Sequence, residues 1–156
     1  MRRPVVGVVL AAVAAGALGT EGSDEANAAQ SLPACKASKP VPGAEKSLIK
    51  EINAERKRRG AQPLKRLNRL VKSARSHNRW MARTRKFSHP TTHLKFGRGN
   101  RASQNLAFMP TARGAFVGFM GSPPHKKNML PKSWRKIGVG AMRCNGMLLF
   151  TVNMTV

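Results

Sequence analysis

Negative charge is what this sequence runs out of. Its six acids, Glu21, Asp24, Glu25, Glu45, Glu51 and Glu55, all fall in the first 55 residues, whereas 29 lysines and arginines bring the formal charge of the 156-residue chain to +23. Most acid–base catalytic pairs include an Asp or Glu, and from residue 56 onward there is none to recruit. Tyrosine is absent, and six Phe and two Trp are all the aromatics besides histidine. With no rings interleaved among the arginines and no recognition-helix motif, base-specific reading of nucleic acid is not expected; nonspecific binding at low salt follows from charge alone. The N-terminal apolar run, residues 5–18, is shorter than the roughly 20 residues a bilayer span takes. Cysteine is scarce as well, with Cys35 and Cys144 alone.

What stands at the N-terminus has the plan of a secretory signal: Met-Arg-Arg-Pro, the apolar run, small residues and an Ala26-Asn27-Ala28 cleavage signal. Residues 1–28 are therefore expected to be a signal peptide; a retained N-terminal anchor is the alternative. Residues 29–43, rich in Ser, Ala and Pro, read as a linker, and 44–156 as one domain. The product is expected to be secreted or associated with the cell envelope, without a transmembrane segment after processing. Leu32-Pro-Ala-Cys35 has the outline of a lipoprotein box, but Pro33 fits it poorly and Cys35 lies well past the apolar run. In an exported chain, two cysteines are expected to pair. A Cys35–Cys144 bridge would close a loop of about 110 residues, worth roughly 4–5 kcal/mol by chain entropy.

Periodicity organises the remainder. Leu48, Ile49 and Ile52 predict a helix from about residue 44 to Gly60, with Glu55 spaced to pair with Arg58 and Arg59. Leu67, Leu70, Val71, Ala74, His77, Met81 and Thr84 predict a second helix to about residue 85, capped by Asn68. Its other face carries Arg69, Lys72, Arg75, Arg79 and Arg83 with no acid in balance. Residues 86–111 show no period and read mostly as loop, with a short extended piece at 103–108. A third helix is expected at 112–121, and Ser122-Pro123 is a helix start, N-cap then Pro at N1. Residues 137–143 and 147–154 alternate as strands about Asn145-Gly146, a two-residue hairpin signal. Helices first and a hairpin last indicate α+β.

Six motifs occur in order: Leu48-Ile-x-x-Ile-Asn53-x-Glu-Arg56 with Gly60-x-x-Pro63-Leu64; Leu70-x-x-x-Ala74-x-x-His77-x-x-x-Met81; Phe87-Ser-His89; Gln104-Asn-Leu-Ala107; Ser122-Pro-Pro-His125-x-x-Asn128-x-Leu130; and Ile137-Gly-Val-Gly140. Over about residues 44–156 this order resembles the CAP superfamily (cysteine-rich secretory, antigen 5 and pathogenesis-related 1 proteins; the SCP-like domain) in its compact bacterial form. The resemblance implies a three-layer α-β-α sandwich with a small antiparallel sheet and the C-terminal hairpin. It also implies a cleft that often holds two histidines and two acids and in some members binds zinc or another divalent cation. By motif position the histidines are His89 and His125, while the acids fall on Gln104 and Ser122. Phe119 stands where the family usually has Trp.

Both histidines are thus present and both carboxylates are missing, so catalysis is not the leading expectation. His89 and His125 are two candidate metal ligands where zinc generally takes three or four protein ligands; Gln104 is a poor third, and His93 follows in a stretch that reads as loop. Ser122 with His125 is a conceivable nucleophile pair, against the simpler reading that Ser122 caps a helix. His77 is expected to be a packed, hydrogen-bonded residue, and Asn53, Asn105 and Asn128 to fix loops. A positive excess beyond what solubility requires points to anionic envelope polymers or lipid headgroups as partners. Three functions remain: a binding module on anionic polymers, a metal-dependent hydrolase using the two histidines, and a nonspecific nucleic-acid binder.

Overall fold

The computed structural model describes residues 7–10, 30–36, 38–89 and 102–156. In chain order these form strands β1 (Gly7–Leu10) and β2 (Gln30–Ser31), helix α1 (Pro42–Arg58), β3 (Lys65–Arg66), α2 (Asn68–Thr84), β4 (Lys86–Phe87), β5 (Ala102–Met109), α3 (Ala112–Gly121), α4 (Pro123–Met129), β6 (Lys136–Cys144) and β7 (Met147–Thr155). The main sheet has the order β1-β5-β7-β6-β3, and β2 pairs with β4 apart from it. β5, β7 and β6 are antiparallel neighbours; β1 joins β5, and β3 joins β6, in parallel. Of the residues read as a signal peptide, only Gly7–Leu10 is described; the Ala26-Asn27-Ala28 cleavage signal lies outside the described residues, as do Gly97, Gly99 and His93.

Both faces of the sheet are covered, and the alternation of side chains decides which helix meets which residues. On one face Ala107, Val139, Phe150 and Val152 bury Leu48 and Ile52 of α1 with Phe116 and Phe119 of α3. On the other, Leu106, Met142 and Leu149 meet Met81 and Ala82 of α2, together with Phe87. The result is the α-β-α sandwich that the resemblance implies. α2 lies against β6 so closely that a Cβ at Gly138 would come within 2.3 Å of the Leu70 backbone, and one at Gly140 within 2.6 Å of the Arg75 nitrogen. That contact is the physical content of Ile137-Gly-Val-Gly140. At the hairpin, Asn145 and Gly146 both have positive φ, 47° and 77°, the combination a two-residue type I′ turn requires.

Four details differ from the sequence expectation. The extended piece expected at 103–108 is longer, the eight-residue strand β5 over residues 102–109; seven of its residues are buried, and a strand covered on both faces shows no alternation in sequence. The segment read as a linker is tied down: Leu32 donates its N–H to the Arg85 carbonyl at 2.8 Å, and Val41 donates to Ala141 at 2.9 Å. Its burial is side-chain driven, since Leu32 is only 3% exposed. Asn68 is not the N-cap of α2; Leu67 occupies that position in extended backbone, and the Asn68 side chain instead accepts from Arg66. Finally, Arg75 on the basic face of α2 does have an acid. Its guanidinium grips buried Glu45 through Nε–Oε1 at 2.7 Å and Nη2–Oε2 at 2.6 Å, while Oε1 also accepts the Ala141 N–H.

Cys35 and Cys144 form the disulfide, with Cα atoms 5.0 Å apart. It ties the N-terminal arm to the end of β6, as expected from pairing in an exported chain. No helix among the described residues is long and apolar enough to cross a membrane.

Candidate functional site

The polar residues singled out by sequence gather along β5, where Gln104 and Asn105 leave the strand in opposite directions. Gln104, 1% exposed, points to the α2 face. There its Oε1 lies 2.8 Å from His89 Nδ1, its Nε2 donates to Asn153 Oδ1 at 2.9 Å, and Asn153 Nδ2 donates to the Leu70 carbonyl at 3.4 Å. A carbonyl can only accept, so the direction of the whole chain follows from its last member. Asn153 turns its NH2 to Leu70, Gln104 turns its NH2 to Asn153, and the Gln104 oxygen is left to accept from His89. His89 must therefore carry its proton on Nδ1 when neutral, which makes Nε2 the acceptor nitrogen of that ring.

Asn105 serves the other face. Its Nδ2 donates to the backbone carbonyl of His125 at 3.0 Å, and its Oδ1 accepts from Asn128 Nδ2 at 3.0 Å. The Asn128 carbonyl accepts in turn from Ser103 Oγ and Trp134 Nε1. These contacts seat α4 on the sheet and bury the His125 side chain, whose ring sits 5.5 Å from that of Phe119. The Ser122 side chain makes no capping bond to α4; its Oγ lies 2.7 Å from His125 Nδ1. Both parties are close, and the helix start at Pro123 explains it: Ser122 is the residue before N1 and His125 the third residue of the helix, one turn on. The four cleft candidates therefore meet as two pairs, His89 with Gln104 and Ser122 with His125.

His77 is a supporting residue. Its Nε2 donates to the Ser88 carbonyl at 3.0 Å and its ring stacks on Trp80. Burial, reinforced by the neighbouring His89 and opposed by the Ser88 bond, lowers its pKa to about 4, so it is neutral at pH 7. Asn53 clamps the turn after α1, receiving the Leu64 N–H at 2.8 Å and donating to the Leu64 carbonyl at 3.0 Å.

Arg56 is the residue that sequence reasoning passed over. It is completely buried and donates to four backbone carbonyls, those of Gln62, Met129, Pro131 and Trp134. Burial first, and the charge of Arg135 second, pull its pKa below the usual arginine value, but a guanidinium does not deprotonate in proteins. It holds the loop after α4, and through Asn128 that loop holds the His125 pair. The available signal was its phase: Arg56 follows Leu48 and Ile52 at four-residue steps on the apolar stripe. Asn78, in phase with Leu70 and Ala74, was missed in the same way; it donates to Leu149 and accepts from Thr151.

Every carboxylate of the described residues is committed to arginine. Glu45 holds Arg75; Glu51 holds Arg113 at 2.6 Å; Glu55 holds Arg58 and Arg59. The hydrogen bonds from Arg58 and then Arg59 lower the Glu55 pKa to about 2. Tested against zinc, the two pairs offer two imidazoles, a carboxamide and a hydroxyl, whereas zinc is bound by Cys, His and carboxylate. The Gln104 amide is already used at both ends. Among the described residues no three His, Cys, Asp or Glu gather as a ligand set. These residues do not fit a zinc site, and no chemical step is derived through one.

The comparisons agree with the fold. The profile of the Cysteine-rich secretory protein family, CAP, matches residues 49–154. Among solved structures, an extracellular protein containing an SCP domain from Bacillus anthracis superposes with a TM-score of 0.65 at 22% identity, over 73% of this chain and 40% of that one. An outer surface protein of Borrelia burgdorferi gives 0.65 at 18% identity, over 76% and 97% of the two chains. A cysteine-rich secretory protein from Staphylococcus aureus gives 0.59 at 21%, over 73% and 38%. This chain thus spans well under half the length of the Bacillus and Staphylococcus proteins. No curated protein matches significantly in sequence.

Proposed function

The chain belongs to the cysteine-rich secretory protein (CAP) family, and within that family we propose a non-catalytic role: an exported, strongly basic module that binds anionic polymers of the cell envelope or extracellular space. The observation that carries this reading is the fate of the charges. All three carboxylates of the described domain are held by arginines, and none of them belongs to either histidine pair. The cations are in large excess, and among the described residues most of them stand on the surface without an acid. Attraction to polyanions is the one strong interaction such a surface offers.

The Ser122–His125 contact is the observation that favours the other reading, a hydrolase. A serine hydrolase needs an imidazole oriented from behind as well as bonded to its hydroxyl. Here the group reaching α4 from β5 is the Asn105 amide, and it binds the His125 backbone carbonyl and not the ring. The signal-like plan of residues 1–28 and the extracellular or outer-surface character of the superposed proteins support placement outside the cell.

Thermal unfolding tests the proposal. A polyanion that binds the native state raises the melting temperature by mass action, so heparin or polyphosphate is expected to raise it more than sodium chloride does at equal ionic strength. Equal shifts would reduce the effect to screening and remove the proposed function.

A further inference from the structure

Away from the two histidine pairs, a surface groove of about 740 Å³ lies over the Cys35–Cys144 disulfide. Four cationic side chains line it, Lys36, Arg83, Arg85 and Arg143, and among the described residues no acid does. They come from three separate elements, which rules out a mere run of basic residues. Lys36 belongs to the arm that the disulfide pins; Arg83 lies in the last turn of α2; Arg85 caps that helix in left-handed backbone, φ 56°; Arg143 precedes Cys144 on β6. None of the four side chains makes a hydrogen bond or ion pair among the described residues, although Arg85 and Arg143 are bonded through their backbones. Holding four like charges around one concavity without a counter-charge opposes folding. The disulfide and the Leu32–Arg85 backbone bond hold them there.

We propose that this groove is a binding site for the phosphate or sulfate oxyanions of a linear anionic polymer, and that the polymer continues along α2. The proposal rests on the polyanion-binding function above and gives it a place. Three of the four cations are arginines, whose planar fork matches the oxygens of a phosphate or sulfate group. From the groove, Arg79, Lys72 and Arg69 extend along the exposed side of α2, from position 83 back to 69, a distance of about 21 Å at 1.5 Å per residue. That gives a polymer carrying an anion every few ångströms several successive partners. Among the described residues no aromatic side chain lines the groove, so none of them stacks on a base as single-strand binders require. A membrane fits poorly too. The large exposed apolar side chains of the described residues are Val117 and Val156, and Val117 stands on α3, across the sheet from α2.

The test compares two charge-matched double variants of the full chain, Arg83→Gln with Arg143→Gln in the groove and Lys127→Gln with Lys132→Gln on and after α4. Affinity for polyphosphate and for heparin is measured between low and near-physiological salt. Removing two groove arginines is expected to weaken binding roughly tenfold or more and to reduce the salt slope by about 2. The α4 variant is expected to change affinity less than about twofold at near-physiological salt, where distant charges are screened. Polyphosphate and heparin arms tell a phosphate from a sulfate preference, and groove dependence in either supports the site. Equal weakening in the two variants would overturn the groove while leaving polyanion binding intact. Failure of the unaltered chain to bind either polymer would overturn the proposed function itself. Groove-dependent binding of single-stranded DNA without binding of polyphosphate or heparin would replace the assigned ligand with nucleic acid.

Discussion

The two ends of α2 treat polar groups in opposite ways. Near its start the Leu70 carbonyl accepts from Asn153, Asn153 from Gln104, and Gln104 from His89, so neutral groups pass hydrogen bonds along a single direction and can be buried. At its other end Arg83 and Arg85 share a groove with Lys36 and Arg143, and no acid among the described residues answers their charge. The difference follows from the cost of burial. A neutral amide with each of its bonds made enters a core at little cost, whereas an unpaired cation must keep its water. The first end is closed by its own partners; the second remains available to someone else's.

The largest effect should come from the cationic end. Replacing Cys35 and Cys144 together by serine removes the closure of a loop of about 110 residues and is expected to lower unfolding free energy by about 4 kcal/mol, read as a fall in urea midpoint with little change in the native circular dichroism. At the amide end, Gly138→Ala forces a methyl against the Leu70 backbone. That overpacking is expected to cost about 3 kcal/mol and to loosen the Asn153–Leu70 bond, visible as faster amide exchange in α2. A loss below 1 kcal/mol would mean that α2 is free to retreat from β6.

Acidification should also act near the amide end. An unfolded histidine titrates near 6.5, and His77 in the fold near 4. Above pH 6.5 both states are neutral and stability is whole. Between 6.5 and 4 the unfolded chain takes up a proton that the folded one refuses, so stability drains away as pH falls, by about 3 kcal/mol. His77→Phe should flatten that window. Glu55, held near 2, acts only below about pH 4.5, so the two contributions separate. Gln104→Glu should cost about 2 kcal/mol at pH 7, since the carboxylate would face Asn153 Oδ1, whose own NH2 is turned to Leu70. Restored tight zinc binding in that variant, by calorimetric titration against the unaltered chain, would show that a single carboxylate separates this site from a metal centre. The smallest effect belongs to the groove: Arg83→Gln with Arg143→Gln should leave thermal stability within about 0.5 kcal/mol, whereas its effect on polymer affinity is large. A marked stability loss would mean that these arginines hold the fold together.

The parts of this protein that obey a local rule could be read early. α3 follows the expected bounds because its apolar residues keep helical spacing, and the hairpin turn sits on Asn145-Gly146 because those residues tolerate positive φ. β5 shows in the sequence only as a short extended piece, because both of its faces are covered, which erases the alternation that marks a half-exposed strand. The candidate site was legible as residues and not as partners. His89, Gln104, Ser122 and His125 could be named from motif order, but the hydrogen bond of Gln104 to Asn153, 49 positions away, has no local signature.

Arg56 makes the same point more sharply. Its sequence neighbourhood, rich in arginine and lysine, reads as a solvated helix end, yet its guanidinium is the centre of a buried knot of four carbonyls. Ser122 errs the other way, since a residue type and position suited to capping gave its hydroxyl to an imidazole.

By itself the sequence determined the sign of the surface, the pairing of its two cysteines and the want of acids beyond Glu55, because composition and chain order suffice for those. Only the tertiary structure decided which charges are spent and which are left over. Glu45 met Arg75 across 30 positions, and four cations from three elements met one another over a disulfide. Such meetings are set by how α2 packs on β6, a contact between surfaces that no stretch of the chain contains alone.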